Sequence, residues 1–200
     1  GGNAFFSVKF IGENGMCYLD KQGNKISDKY FFRAYGFNED VATVIDKSGY
    51  SGVIDFQGEY IVKPTFRRLG IQFSEGLCAA QSYEKETGYI KKDGSFAFRI
   101  PLVIRDNISE SGTDFENGLA IVQISEKPIT WRIINQNGTF VSDELPIDWS
   151  AGFSDRIALV SKNIDGKNLY GYIKQDSSFL SELVFEKAES FNNGFARIVK

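Results

Sequence analysis

The chain of 200 residues carries a formal net charge of −3, is 42% apolar and contains no histidine. The absence of histidine excludes catalytic triads that use an imidazole base, and it excludes zinc sites built on histidine. The mild negative charge argues against nucleic-acid binding, which normally requires a concentrated basic face. We therefore expect no catalytic residue, no metal and no nucleic-acid partner.

Phosphate-binding loops and membrane-spanning segments are also missing from the sequence. Neither of the glycine-rich phosphate motifs occurs, so no cofactor is expected. No apolar run is long enough for a transmembrane helix, so membrane insertion is not expected either. The stretch from Asn163 to Gly166 lacks the later ligands of a calcium loop, and it is interpreted as a loop between strands.

A repeated pattern runs through the whole chain, and repeats decide the fold before any other signal. The copies align on an anchor position and follow one another at intervals of 36 to 42 residues. Phenylalanine stands three residues before the anchor in five copies. The anchors are Gly2, Asp40, Gly76, Gly118, Arg156 and Gly194. A small residue stands two positions after each anchor: Ala4, Ala42, Cys78, Ala120, Ala158 and Ala196.

A second apolar segment follows in each copy, and a turn residue follows that segment. The segments are centred on Tyr18-Leu19, Val53-Ile54, Tyr89-Ile90, Ile133-Ile134 and Tyr172-Ile173. The turn residues are Gly23, Gly58, Gly94, Gly138 and Ser177, a column typical of a hairpin turn that needs positive φ. A third short apolar stretch begins after the turn. Each unit is therefore predicted to read strand, loop, strand, tight turn, strand.

The first strand of each unit shows the period-2 alternation of a β-strand. In one copy Ala120, Val122 and Ile124 share one face, while Leu119 and Ile121 share the other. Because both faces are apolar, we expect this strand to be buried on both sides. The column of small residues predicts a place where a neighbouring chain segment comes close.

These columns resemble the WG-repeat family, also called KWG repeats, which is common in bacterial proteins. The resemblance covers nearly the whole chain and rests on Phe-x-x-Gly-φ-Ala, as in residues 73–79, and on Gly-Tyr-Ile-x-x-x-Gly, as in residues 88–94. No intact Trp-Gly pair is present, so the copies are degenerate. The family tryptophan column holds Met16, Ser51, Thr87, Trp131 and Tyr170. The resemblance implies a β-rich repeat array and no catalytic residue.

We predict an all-β fold of tandem β-hairpin repeats of about 38 residues, stacked as an open curved array or solenoid. The alternative is a closed five- or six-bladed β-propeller, since the unit is close to the size of a blade. Residues 1–200 are expected to form a single repeat domain of five units plus a final first strand. The start at Gly1 in mid-repeat suggests a trimmed chain, from which an export signal can have been removed.

Aromatic residues outside the repeat columns are the candidate ligand-binding residues: Trp149, Tyr83 and Tyr35. The alternative for each is packing against a neighbouring unit, because aromatic side chains bury large areas. Trp131 lies in a repeat column and is expected in the core. Cys17 and Cys78 are expected to be small buried residues, without a disulfide between them.

Three functions remain compatible with the sequence. The first is a non-enzymatic binding or scaffold module for a protein partner, in a bacterial envelope or secreted. The second is a carbohydrate-binding module that uses exposed aromatic residues. The third is a glycoside hydrolase with a carboxylate pair, for which clusters such as Glu84/Glu86 and Asp143/Glu144 are the candidates.

Overall fold

The computed structural model describes residues 6–9, 15–103 and 114–200, and these residues form strands and turns. The chain divides into two compact units, residues 1–99 and 100–200, and each is described by itself. The predicted all-β class is confirmed. The described residues include no helix of the length and apolarity needed to cross a membrane. The predicted repeat positions Gly2 and Ala4 lie outside the described residues.

The described residues of the first unit form ten strands in two four-stranded sheets and one two-stranded sheet. The strands are β1 (Phe6–Lys9), β2 (Met16–Leu19), β3 (Arg33–Ala34), β4 (Ala42–Ile45), β5 (Ser51–Ile54), β6 (Tyr60–Phe66), β7 (Arg68–Leu69), β8 (Cys78–Gln81), β9 (Thr87–Ile90) and β10 (Phe96–Arg99). The sheet orders are β1-β2, β3-β4-β5-β6 and β10-β9-β8-β7, all antiparallel. Each sheet is therefore a meander of strands that follow one another in the chain.

In the second unit, residues 100–103 and 114–200 are described and form eight strands in one four-stranded sheet and two two-stranded sheets. The strands are β11 (Leu119–Glu126), β12 (Ile129–Asn135), β13 (Trp149–Ser154), β14 (Ile157–Ile164), β15 (Lys167–Lys174), β16 (Phe179–Phe185), β17 (Lys187–Ala188) and β18 (Ile198–Val199). The sheet orders are β11-β12, β13-β14-β15-β16 and β17-β18. The predicted tandem β-repeat is thus present in both units.

Each complete sheet contains one strand more than the sequence predicted. A short strand, such as β3 or β7, precedes the phenylalanine that stands three residues before the anchor. This short strand pairs with the strand that follows the anchor. The anchor itself lies in a two-residue turn, because Glu75 and Gly76 both have positive φ and Ser74 bridges to Leu77. This is the geometry of a type I′ hairpin. The predicted first strand therefore starts after the anchor, and residues 73–76 belong to the turn.

The tight turn between the second and third strands of each unit has the predicted conformation. Its last residue has positive φ in all five copies, from Gly23 at +86° to Ser177 at +67°. In two copies Asp20 and Asp55 each accept two backbone N–H groups within the turn through one carboxylate oxygen. Asp20 and Asp55 therefore stabilise their turns.

The glycine that follows the family tryptophan column has a steric role. A Cβ atom on Gly52 would lie 2.7 Å from the carbonyl oxygen of Val62, and one on Gly171 would lie 2.7 Å from that of Glu182. The third strand passes this close at a register shift between β5 and β6, and again between β15 and β16. Where Cys17 and Arg132 replace the glycine, the third segment pairs only through isolated bridges. The glycine therefore permits a full third strand.

The core of each unit repeats one arrangement. The small residue after the anchor packs with an isoleucine of its own second strand and with the second strand of the preceding repeat. One such set is Cys78, Ile90 and Val53, and another is Ala158, Ile173 and Ile133. Leu119 is partly buried, while Ala120, Ile121 and Val122 are fully buried, which confirms that the first strand is covered on both faces.

Tyrosines of the second strand connect neighbouring repeats. The ring of Tyr18 lies 5.0 Å from that of Phe37, and its hydroxyl donates to the carbonyl oxygen of Tyr35 at 2.5 Å. In the second unit the ring of Tyr172 lies 4.9 Å from that of Phe191, and its hydroxyl donates to Glu189 O at 2.8 Å. The same contact thus recurs in both units.

Carboxylates of one anchor turn also bind the anchor turn of the next repeat. Glu39 accepts the N–H of Gly76 at 2.9 Å, and Asp155 accepts that of Gly194 at 2.8 Å.

A four-stranded antiparallel sheet has the strand count of a propeller blade. The choice between an open array and a propeller concerns both units together, and it stays a prediction, as does the single domain over residues 1–200.

Candidate functional site

Tyr83 is the predicted binding residue with the largest exposed surface. It lies in the turn between β8 and β9 and is 65% exposed. The turn is closed by hydrogen bonds between Ser82 and Glu86, so the tyrosine is held at its tip. The ring of Tyr50, from the equivalent turn of the preceding repeat, lies 6.1 Å away at an angle of 46°. The two rings form a small aromatic surface, which we call the Tyr50–Tyr83 pair.

Tyr35 and Trp149 occupy more structural positions. Tyr35 is half-buried between β3 and β4, and its backbone bonds to Thr43 and to the Tyr18 hydroxyl. Trp149 begins β13 and packs edge-on against Tyr170, with ring centroids 6.4 Å apart. It belongs to an apolar cluster with Leu159 and Tyr172. Trp149 therefore packs against a strand of its own sheet, and a binding role for either residue stays a prediction.

Several other residues predicted to be structural are in the core. Trp131 is almost fully buried, and Cys17 and Cys78 are buried and are not joined by a disulfide. The basic pair Lys91-Lys92 lies in a hairpin turn, where Lys92 forms an ion pair with Glu39. Asp165 and Gly166 both have positive φ and form the hairpin turn between β14 and β15, as expected for a loop between strands.

The carboxylates considered for catalysis do not form a larger acidic group. Glu86 pairs with Arg99, with 3.1 Å between its oxygen and the guanidinium Nε. Within residues 6–9, 15–103 and 114–200, no cluster of three or more acidic, cysteine or histidine side chains could hold a metal ion.

A second candidate surface lies in the last two sheets and was not found from the sequence. The strand β16 exposes Phe179, Leu180 and Val184. Phe195, in the last anchor turn, is 81% exposed. These residues occupy ordinary repeat columns, so composition and periodicity gave no reason to expect them at the surface.

A cavity of about 670 Å³ adjoins this surface, between β15 and the short sheet of β17 and β18. Its lining residues are Tyr170, Lys187, Ala188, Glu189, Arg197, Ile198 and Val199. Arg197 bonds to the Glu189 carboxylate, and the charge of Glu189 adds to burial in raising the pKa of Tyr172. The cavity therefore combines apolar walls with a paired charge at its margin.

The last part of the chain matches a known protein family. The sequence model of the WG-containing repeat matches residues 170–200, which cover the second and third strands of one unit and the start of the next. The WG-repeat resemblance is confirmed over these residues. The other copies in the chain share the aligned columns and the antiparallel hairpins of this segment. No curated protein matches the chain.

A solved structure supports the fold of the chain. The crystal structure of a eukaryotic initiation factor aligns with all of the chain at a TM-score of 0.58 and 11% identity. The chain spans 58% of the length of that protein. At this identity the likeness concerns the fold alone. The WG-repeat family suggests a repeat-built binding or scaffold module, and its partner must be inferred from the surface.

Proposed function

We propose that this WG-repeat protein is a non-enzymatic interaction module that binds a protein partner. The observation that carries the proposal is the set of apolar side chains on β16, where Phe179, Leu180 and Val184 are all exposed. Isolated exposed apolar residues are ordinary, whereas apolar residues exposed together on one strand add to the apolar area that a protein partner can cover.

The proposal is tested by comparing partners retained by the parent chain and by a Leu180→Ser/Val184→Ser variant. Both residues are exposed, so the variant should fold normally, which circular dichroism would verify. We expect proteins from a bacterial lysate to be retained by the immobilised parent and lost with the variant. Identical sets of proteins on both chains would count against the proposal.

A second candidate function is carbohydrate binding, favoured by the Tyr50–Tyr83 pair. Exposed aromatic rings stack on the apolar faces of sugars, and Tyr83 projects from a closed turn. A glycan array should show signals with the parent that disappear with Tyr83→Ala. Phe32→Ala removes an equally exposed aromatic elsewhere in the first unit and is the matched control. An array without signal for the parent would remove this candidate.

Location and the lack of catalysis are also part of the proposal. We place the protein in a bacterial envelope or among secreted proteins, because the WG-repeat family is common in bacteria. Cell fractionation with an antibody against the chain would test this location. A glycosidase activity that is lost on replacing Glu84 or Asp143 by alanine would show that the protein is an enzyme instead.

A further inference from the structure

Two hairpins of the second unit are longer than the repeat core requires. The strands β11 and β12 have eight and seven residues, and β14 and β15 have eight each. The corresponding strands β4, β5, β8 and β9 of the first unit have four residues each and already form its core. Pairing of β14 with β13 and of β15 with β16 stops at Ser161 and Tyr170, so the β14–β15 hairpin projects beyond its sheet. We call residues 125–130 and 162–169 the hairpin tips.

The strand alternation determines which side chains the two hairpin tips turn toward each other, because side chains at two-residue spacing share one face. At the base of the hairpins, Trp131 of β12 packs in one core cluster with Val160 of β14 and Ile173 of β15. The residues that continue these three faces into the tips are Ile129, Lys162, Ile164, Lys167 and Leu169. Two opposed strand faces therefore run from the core out to the tips.

Beyond the core cluster these two faces remain open to solvent. Ile129 is 44% exposed and Ile164 is 39% exposed, and neither belongs to the core cluster. Lys167 is exposed and Lys162 is half-buried. Within residues 15–103 and 114–200, no carboxylate forms an ion pair with either lysine. The tips thus combine exposed apolar side chains with two unpaired positive charges.

The extra length of these hairpins adds little to the stability of the fold, since its side chains are largely outside the core. In repeat proteins, residues inserted into individual repeats form loops on one side of the array, and that side often binds the ligand. The two long hairpins belong to consecutive repeats and leave the array through the same kind of connection. Their position and their exposed side chains are therefore those of a binding surface.

From this we infer that the hairpin tips are a docking site for an extended acidic segment of a protein partner. A large apolar side chain of the segment is covered by Ile129 and Ile164, and carboxylates of the segment meet Lys162 and Lys167. Glu126 is the cross-strand neighbour of Ile129 and repels carboxylates from that side. The acidic side of the segment therefore faces the β14–β15 tip. This surface is separate from β16, so the inference goes beyond the proposed function.

A library of random peptides displayed on phage is the probe for this site. Selection on the immobilised 200-residue chain should enrich peptides that combine aspartate or glutamate with a large apolar residue. Fluorescence anisotropy of a labelled enriched peptide then measures its affinity for the chain in solution. The affinity should fall as the salt concentration rises, because exposed charge pairs are screened.

Two variants of the hairpin tips and two matched controls locate the binding. Ile164→Ser removes apolar contact, and Lys162→Glu/Lys167→Glu reverses the charge, so each should weaken binding at least about fivefold. Val141→Ser is the apolar control, because Val141 is 50% exposed in the same unit. Lys47→Glu is the charge control, because Lys47 is exposed in the turn between the short strands β4 and β5. Both controls should change the affinity less than about twofold.

Three results would overturn the inference. One is a selection that enriches no acidic and apolar peptides. Another is an enriched peptide that binds the Lys162→Glu/Lys167→Glu variant as tightly as the parent. The third is a peptide whose binding is lost with Leu180→Ser/Val184→Ser and kept with Ile164→Ser. That last result would locate the peptide on β16 and support the proposed function, so failure at the hairpin tips is distinguishable from failure of that function.

Discussion

Substituting Gly88 by alanine tests the steric role assigned to the glycine of the second strand. An ideal Cβ atom at this position would lie 2.2 Å from the carbonyl oxygen of Phe98 and 2.9 Å from Cα of Arg99. Both are backbone atoms of β10, so no side-chain rotation relieves the overlap. The strand must move by more than 1 Å to restore a van der Waals distance, since ordinary contacts begin at 3.4 Å.

The expected loss of stability follows from this displacement. Overpacking a well-formed interior costs about 1–3 kcal/mol, and the obstruction by backbone places Gly88→Ala in the upper part of that range. The pairs Phe98↔Tyr89 and Arg99↔Gly88 would be weakened as well. For a unit of this size we expect the midpoint of thermal unfolding to fall by at least about 4 °C.

Far-UV circular dichroism measures the midpoint of thermal unfolding. Hydrogen exchange should show that the loss of stability is located in β9 and β10. Gly36→Ala is the matched control, because a Cβ atom there meets nothing within 4 Å. The control should leave stability unchanged or slightly raised, since alanine restricts the unfolded chain more than glycine does. If Gly88→Ala is as stable as Gly36→Ala, the glycine does not accommodate the third strand and the steric explanation is wrong.

Three further changes probe other parts of the repeat. Ala158→Leu should cost about 1–3 kcal/mol in urea unfolding because Ala158 is fully buried, while Ala151→Leu at an exposed site of β13 should cost less than about 0.5 kcal/mol. Gly94→Val should lower the midpoint of thermal unfolding, because Gly94 has a φ of +84° and a Cβ atom there would lie 2.9 Å from Val62 Cγ2. A thermal midpoint equal to that of the parent would contradict this. Burial raises the pKa of Tyr18 above its ordinary value of 10. The unfolded tyrosine ionises first, so stability should hold below pH 10 and then fall by up to about 1.4 kcal/mol per pH unit. Tyr18→Phe should flatten that fall, and an unchanged alkaline slope would show that this residue is not its source.

The repeat columns allowed the central strands to be predicted from the sequence. The second and third strands follow directly from segments such as Tyr172-Ile173 and from the turn residues after them, because apolar alternation and positive-φ residues are strong local signals. The first strand follows in the same way, since the alternation from Leu119 to Ile124 coincides with β11.

The short strand before the anchor could not be predicted. In the two copies β3 and β7 it has only two residues, too few for a period to be recognised. The type I′ turn after it was also hidden, because residues such as Glu39 and Glu75 take positive φ that usually favours glycine or asparagine. The geometry there is imposed by pairing of the flanking strands rather than by the local sequence.

The binding roles of Trp149, Tyr83 and Tyr35 stay predictions. Tyr83 is exposed as a binding residue must be, and the tests with Tyr83→Ala will decide its role. The exposed strand β16 could not be found, because Val184 looks like a core residue in the aligned columns. Its exposure depends on which neighbouring strands are present, and a periodic sequence does not show this.

The central claim is that neighbouring repeats stabilise one another through the same side-chain contact. A double-mutant cycle between Tyr172 and Phe191 tests it most directly, because the rings belong to different repeats and lie 4.9 Å apart at 71°. With Tyr172→Leu, Phe191→Leu and the double variant in urea unfolding followed by tryptophan fluorescence, we predict a coupling of about 0.5–1.5 kcal/mol. Effects that add to within about 0.3 kcal/mol would show that the repeats do not depend on this contact.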